Sequence, residues 1–215
     1  MSEDRDWRRV YDFWFPAGLD KADLKTHRQM LEWWMQGGAN AELPQFASLL
    51  EAATSGSLDH WAKDHPKGRL SLIIVLDQFP RGLFAGTPKA FVSDPDALEL
   101  TEAGLENGHY DALDHNWEKM FYALPLLHAE GSDHLKRMDR AVALAEQRLA
   151  DALPHLRPLS EFGLSQLRSN KETISRFGRY PHRNAALTRA TTPEEAAYLE
   201  KGDFVYKRPI PNFGL

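Results

Sequence analysis

The chain contains no cysteine. Disulfides, thiolate catalysis and every sulfur-based metal or cluster site are thereby excluded, and a cytoplasmic setting is the expectation. Long apolar runs are missing as well. No run exceeds that from Leu72 to Leu76, far short of the roughly 20 residues a membrane-spanning helix needs, so no membrane association is expected. The first residues, Met1 to Arg5, are charged and lead directly to Trp7 and Val10, a pattern unlike a signal peptide. Positive charge is not in excess. Lys and Arg number 26 against 31 Asp and Glu, for a formal net charge of -5, which argues against nucleic acid as a partner. Glycine-rich phosphate loops, Gly-x-Ser-x-Gly elbows and His-Glu-x-x-His helices do not occur, so nucleotide-fold, serine-hydrolase and zincin readings have no footing. Sustained two-residue alternation, the mark of half-buried strands, is absent too.

What is present is helical periodicity. Leu24, Leu31, Trp34 and Met35 share one helix face that should end near Gly37 and Gly38. Leu43, Phe46, Leu49, Leu50 and Ala53 do the same, with Pro44 suited to a first turn. Ala97, Leu100, Thr101 and Leu105 follow an Asp94-Pro95 start, and Met138, Val142, Ala145, Leu149 and Leu153 form a stripe ended by Pro154. Thr192-Pro193-Glu194-Glu195 combines an N-cap, a first-turn proline and a capping-box glutamate, and Gly202 closes that helix. Ile73-Ile74-Val75 would suit a buried strand, but with no partner strand in sight Leu70 to Gln78 reads as a helix buried all round. Six Trp and eleven Phe give the core a large aromatic share. The expectation is all-α, with antiparallel helix pairs in a tetratricopeptide-like stack. The 215 residues suit a single domain, 1–215, with 207–215 an extended C-terminal tail.

Four segments hold residues able to do chemistry. Arg176-Phe177-Gly178-Arg179-Tyr180-Pro181-His182-Arg183-Asn184 concentrates three arginines, a histidine and an amide around a turn. Arginine is a planar five-donor fork that stays charged, so this is either an anion site or the positive half of a buried ion network. Asp77-Gln78-Phe79-Pro80-Arg81 places a carboxylate at the end of a buried helix, where it requires a partner, and Pro80 should turn the chain so that Arg81 folds back over it. Trp117 to Leu124 reads as a helix that Pro125 breaks or kinks, with His128 and Glu130 following. Those two could meet in a loop, where the carboxylate would orient the ring as an acid or base. On the helix before the arginine turn, Asn170 and Lys171 interrupt the apolar stripe of Leu164, Leu167, Ile174 and Phe177, so one of them should point inward. His128, Glu130, Asp133 and His134 are close in sequence, but such clusters are mostly solvated loops, and no metal and no cofactor is expected.

Taken in order, Leu76-Asp77-Gln78-Phe79-Pro80-Arg81, Ala90-Phe91 with Asp94, Phe121-Tyr122 with Pro125, His128 and Glu130, the arginine segment and Thr192 to Glu195 resemble the bacterial DUF924 family. The resemblance covers nearly the whole chain, including Phe13-Trp14-Phe15. It implies an all-α, tetratricopeptide-like domain and, because the family is one of unknown function, no particular reaction. Two positions depart from the pattern: Gly82 stands where the family usually has Asn, and Asn170 where a histidine is expected.

The residues then support two expectations. One is a pocket for a small anion, a carboxylate or phosphate, held by Gln78, Arg81, Asn170, Arg176, Arg179, Arg183 and Asn184. His182, His128, Glu130 and Asp77 would carry acid-base or hydrolytic chemistry there, and Trp14 or Trp34 would wall the site. The other is a helical-repeat scaffold that grips an acidic peptide, with the charged cluster mainly structural.

Overall fold

The apolar run around Ile73 is helical and buried on every side. In the computed structural model, which describes residues 6–202, 204 and 208–215, each residue from Gly68 to Asp77 is buried. The α-helices are α1 Trp7–Trp14, α2 Leu24–Met35, α3 Ala47–Thr54, α4 Trp61–Asp64, α5 Pro66–Asp77, α6 Phe79–Leu83, α7 Asp94–Glu106, α8 Asn116–His128, α9 His134–Ala150, α10 Arg157–Phe177 and α11 Pro193–Lys201. Short 3₁₀ turns occupy Leu43–Phe46, Pro88–Phe91 and Pro181–Arg183, among others. No strand occurs among the described residues. The fold class is all-α.

Helix α5 is the hub, with α1, α3, α4, α7 and α8 packed against it. A helix enclosed in this way needs no polar face, and its one hydroxyl, on Ser71, donates to the Lys67 carbonyl at 2.9 Å. Helices α7, α8, α9 and α10 pack in succession, each against the next. The interior is aromatic, with Trp14, Trp34, Phe46, Phe79 and Phe121 in one buried cluster.

Local sequence chemistry sets most boundaries. Thr192 accepts from the Glu195 amide and Glu195 returns to the Thr192 amide, the reciprocal box expected at α11. Three expectations need correcting. Pro125 neither ends α8 nor leaves His128 in a loop, because the helix runs through it to His128. The missing donor at Pro125 removes only the bond to the Phe121 carbonyl, and the last turn is held from outside instead. The stripe of α9 does not reach Leu153, which lies beyond the helix and is exposed. The segment from Leu43 starts as a 3₁₀ turn and becomes α-helical only at Ala47. Met1 to Arg5 and Lys207 lie outside the described residues. From Arg208 onward the tail has no helix and lies against α2 and α10: Ile210 packs on Leu31 and Leu159, and Arg28 donates to the Pro211 carbonyl at 2.8 Å.

Candidate functional site

The end of α5 is where the charged segments meet. Gln78 keeps near-helical angles, and α6 starts at once with Pro80 in its first turn. Arg81, one turn beyond Asp77, therefore reaches back over it. Its guanidinium donates to the Asp77 carbonyl and lies 3.4 Å from Asp77 Oδ1. The neighbouring Leu76 carbonyl accepts from the Ser93 hydroxyl at 2.7 Å. Side chains thus satisfy two of the carbonyls that a helix end leaves open.

Asp77 is fully buried, at 0% exposure. The other nitrogen of Arg81 sits 2.9 Å from Asp94 Oδ1, and Arg183 approaches Asp94 Oδ2 at 3.3 Å. Phe91 and Tyr180 sandwich the Arg183 guanidinium, with ring centroids at 4.5 and 4.8 Å. Two carboxylates and two guanidiniums therefore share one buried cluster. Burial pushes the Asp77 carboxyl up, but the charge of Arg81 and the bonds from His128 and Gln78 outweigh it and hold it down at about 2. Asp94 goes the other way, to about 6, because burial and the nearby Asp77 charge prevail over its two arginines.

His128 closes this cluster. Its Nδ1 lies 2.8 and 2.9 Å from the two Asp77 oxygens. An ionised Asp77 only accepts, so Nδ1 carries the proton and Nε2 keeps its lone pair. Burial and the charge of Arg81 lower the ring to about 4, so it is neutral near pH 7. Its position is fixed through the end of α8. The Leu127 carbonyl accepts from His134 Nε2 at 2.8 Å and Tyr180 Oη at 2.9 Å, the His128 carbonyl from Arg183 at 2.9 Å, and the Ala129 carbonyl from Arg137 at 2.6 Å. Three consecutive carbonyls are thus tied down by four side chains.

A cavity of about 700 Å³ lies beside this cluster, and Gln78, Arg81, His128 and Asn170 all line it. Most of its remaining wall is apolar, with Trp14, Trp34, Trp117, Leu31, Leu124 and Leu159 among the lining residues. Of the two polar residues interrupting the α10 stripe, Asn170 is the one on the cavity, while Lys171 reaches Asp139. Gly82 also lines it, and a Cβ there would stand 2.5 Å from Asn40 Oδ1 and closer still to Leu43. The amide of Asn40 thus fills the space that a side chain at position 82 would take.

The arginine segment is placed differently from its expectation. Arg176 pairs with Glu194 on the surface at 2.7 Å. Arg179 holds Glu195 with both arms, at 2.7 and 2.9 Å. Asn184 donates to the same Glu195 at 3.1 Å and accepts from Arg189 at 3.1 Å. Arg189 in turn binds Glu130, which also accepts from the Tyr180 amide at 2.6 Å. Glu130 therefore does not orient His128; Asp77 does. His182 leans on Tyr180, with centroids 5.3 Å apart, and burial together with Arg183 lowers its ring to about 3. None of Arg176, Arg179, His182, Arg183, Asn184 or Glu130 lines the cavity. Asp133 is bound to Arg137, and among the described residues no group of three or more His, Asp or Glu side chains could hold a metal.

The sequence marks Asp94 only as a helix start and motif position and Trp117 only as part of a helix, and it does not mark Arg189 or Asn40 at all. Asp94 was hidden because Asp-Pro already explains a helix start. Arg189 and Asn40 carry no local signal; Arg189 joins Asn184 and Tyr180 nearby to the remote Glu130.

A family model described as bacterial protein of unknown function, DUF924, matches residues 10–203. The chain belongs to the DUF924 family. It is also similar to the solved structure of a protein of unknown function from Agrobacterium tumefaciens, at 31% identity and a TM-score of 0.67, covering 91% of this chain and 97% of that one. No curated protein matches the chain. No helix among the described residues is long and apolar enough to cross a membrane. The family brings no reaction with it, so the chemistry has to be read from this cluster and its cavity.

Proposed function

We infer that the protein binds a small molecule by an acidic group, a carboxylate or phosphate, at the Gln78, Arg81, His128 and Asn170 end of the cavity. His128 then acts as a general base on a water or hydroxyl held there. The observation that carries this reading is the pairing of His128 with a fully buried carboxylate through Nδ1 while its ring lines the cavity. A histidine so held offers a fixed, neutral Nε2 lone pair to whatever enters, the free acceptor that taking a proton needs. Arg81 supplies the neighbouring positive charge, and its side chain is 20% exposed. For Arg176, Arg179 and Arg183 the specific pairing with Glu194, Glu195 and Asp94 favours a structural role.

A thermal-shift screen of carboxylates, phosphates and sulfate tests it, run beside His128→Gln, which keeps a donor for Asp77. A ligand at a hundred times its Kd adds about 2.7 kcal/mol of stability, so a true ligand raises the wild-type midpoint by several degrees. The expected result is a shift in the wild type that His128→Gln reduces. Equal shifts in both proteins would move the site away from His128.

A further inference from the structure

The cavity is far larger than an acidic group needs. Its volume of about 700 Å³ falls within the roughly 300–1,000 Å³ of pockets that enclose whole drug-sized ligands. Its length follows from α8. Trp117, Met120, Leu124, Leu127 and His128 all line it, and they follow one another at helical spacing along one face. Trp117 and His128 stand eleven residues apart on that helix, which at 1.5 Å per residue is about 16 Å along the axis.

Between those points the wall is aromatic. Trp14, Trp34 and Trp117 line the cavity; Trp117 meets Trp34 at 5.0 Å, and Phe121, which is off the lining, links Trp34 to Trp14 at 4.9 and 5.5 Å. Such a surface takes an apolar body.

The end away from His128 carries a polar signal of its own. Trp117 Nε1 donates to His27 Nδ1 at 2.6 Å. That nitrogen is therefore the acceptor, and the His27 proton sits on Nε2. His27 is 1% exposed and lines the cavity, and its Nε2 makes no well-formed hydrogen bond, with only the Ala22 carbonyl close to the ring; Trp14 Nε1, another buried donor on the lining, has no partner. Unmet buried donors are costly, and a ligand acceptor would relieve them.

We propose that the cavity takes an elongated amphipathic acid. Its anionic head lies at the donors Arg81 and Asn170, beside His128, its apolar body runs along Trp14, Trp34 and Trp117, and an oxygen acceptor on that body meets His27 Nε2. The head-group placement rests on the reading given above; the body and its acceptor rest on the wall and on His27.

The test titrates the wild type with acetate, hexanoate, decanoate, decanol and a set of oxo-decanoates, following tryptophan fluorescence and calorimetry. Affinity should rise about fourfold per added methylene until the cavity is full. At least one oxo-decanoate should bind several-fold tighter than decanoate, and His27→Phe should erase that preference while leaving decanoate bound. Gly163→Phe gives an independent check, since Gly163 is exposed, lines the cavity and has nothing within 4 Å of a Cβ. It should weaken decanoate and spare acetate. Acetate binding as tightly as decanoate overturns the inference and leaves the head-group reading standing. Decanol matching decanoate overturns the head-group reading. No binding by any of them overturns both.

Discussion

The Tyr122 hydroxyl occupies the place that a side chain at position 104 would need. A Cβ on Gly104 would stand 2.6 Å from Tyr122 Cζ and overlap the hydroxyl oxygen. That oxygen is buried and has no hydrogen-bond partner. Gly104→Ala should therefore destabilise by about 2 kcal/mol, because overpacking outweighs the gain in helix propensity. Tyr122→Phe should be neutral or slightly stabilising, since it removes an unsatisfied group. Urea unfolding of the single variants and the double variant checks both, and the double variant should recover part of the Gly104→Ala loss.

Arg183 is 4% exposed and binds both Asp94 and the His128 carbonyl. Arg183→Ala leaves a buried carboxylate with one partner fewer and opens the last turn of α8. The cost should be about 3 kcal/mol, typical of breaking a buried pair. A guanidinium midpoint within experimental error of wild type would show that Asp94 does not need it.

Four of the shifted groups around the cluster show how stability depends on pH. His128, lowered to about 4, and His182, lowered to about 3, resist protonation when folded, so both cost stability as pH falls from 6.5 toward those values. Asp94, raised to about 6, binds its proton more tightly when folded and gains stability between about pH 6 and 4. Asp77, lowered to about 2, contributes fully above pH 3.8 and loses its share only below that. Two losses against one gain make the protein less stable at pH 4.5 than at pH 7. Asp94→Asn should remove the gain and steepen that decline, as urea midpoints across the range would show.

Asp77→Asn removes one of the two carboxylates that face Arg81. The Asp94 carboxyl, held up in part by the Asp77 charge, should then titrate lower than about 6. Carbon-13 NMR of the Asp94 carboxyl reads this directly. An unchanged Asp94 titration would mean that burial alone sets its value.

The loop carrying the arginine segment hangs on Glu130. Arg189 and the Tyr180 amide both bind it, and Asn184 links Arg189 onward to Glu195. Arg189→Ala should speed amide exchange from Tyr180 to Thr192 by tenfold or more, equivalent to about 1.4 kcal/mol of local opening. Exchange in α5 should be untouched.

The helices were legible because their signals are local. Thr192 and Glu195 sit three residues apart and cap one another, and the run at Ile73 is apolar on all faces. Pro125 misled because its effect depends on what replaces the missing bond, and those partners come from His134, Tyr180, Arg183 and Arg137. Asp77, Arg81 and His128 carry their own sequence signals, and the structure joins them in one cluster. The arginines showed their charge but not their partners, since Arg183 finds Asp94 across 89 positions. The cavity was invisible for the same reason. Its wall joins α2, α8 and α10, and His27 by itself reads as an ordinary polar residue in a helix.

The aromatic wall has a calorimetric consequence. At a net charge of -5 the protein repels anions at a distance, and within the cluster Arg81 is already shared by Asp77 and Asp94. Long-range attraction therefore does little to bring an acid in. Release of water from the wall must supply most of the drive, and burial of apolar surface marks itself by a negative heat-capacity change on binding. Affinity of that origin should change little between low and high salt, unlike capture by exposed charges.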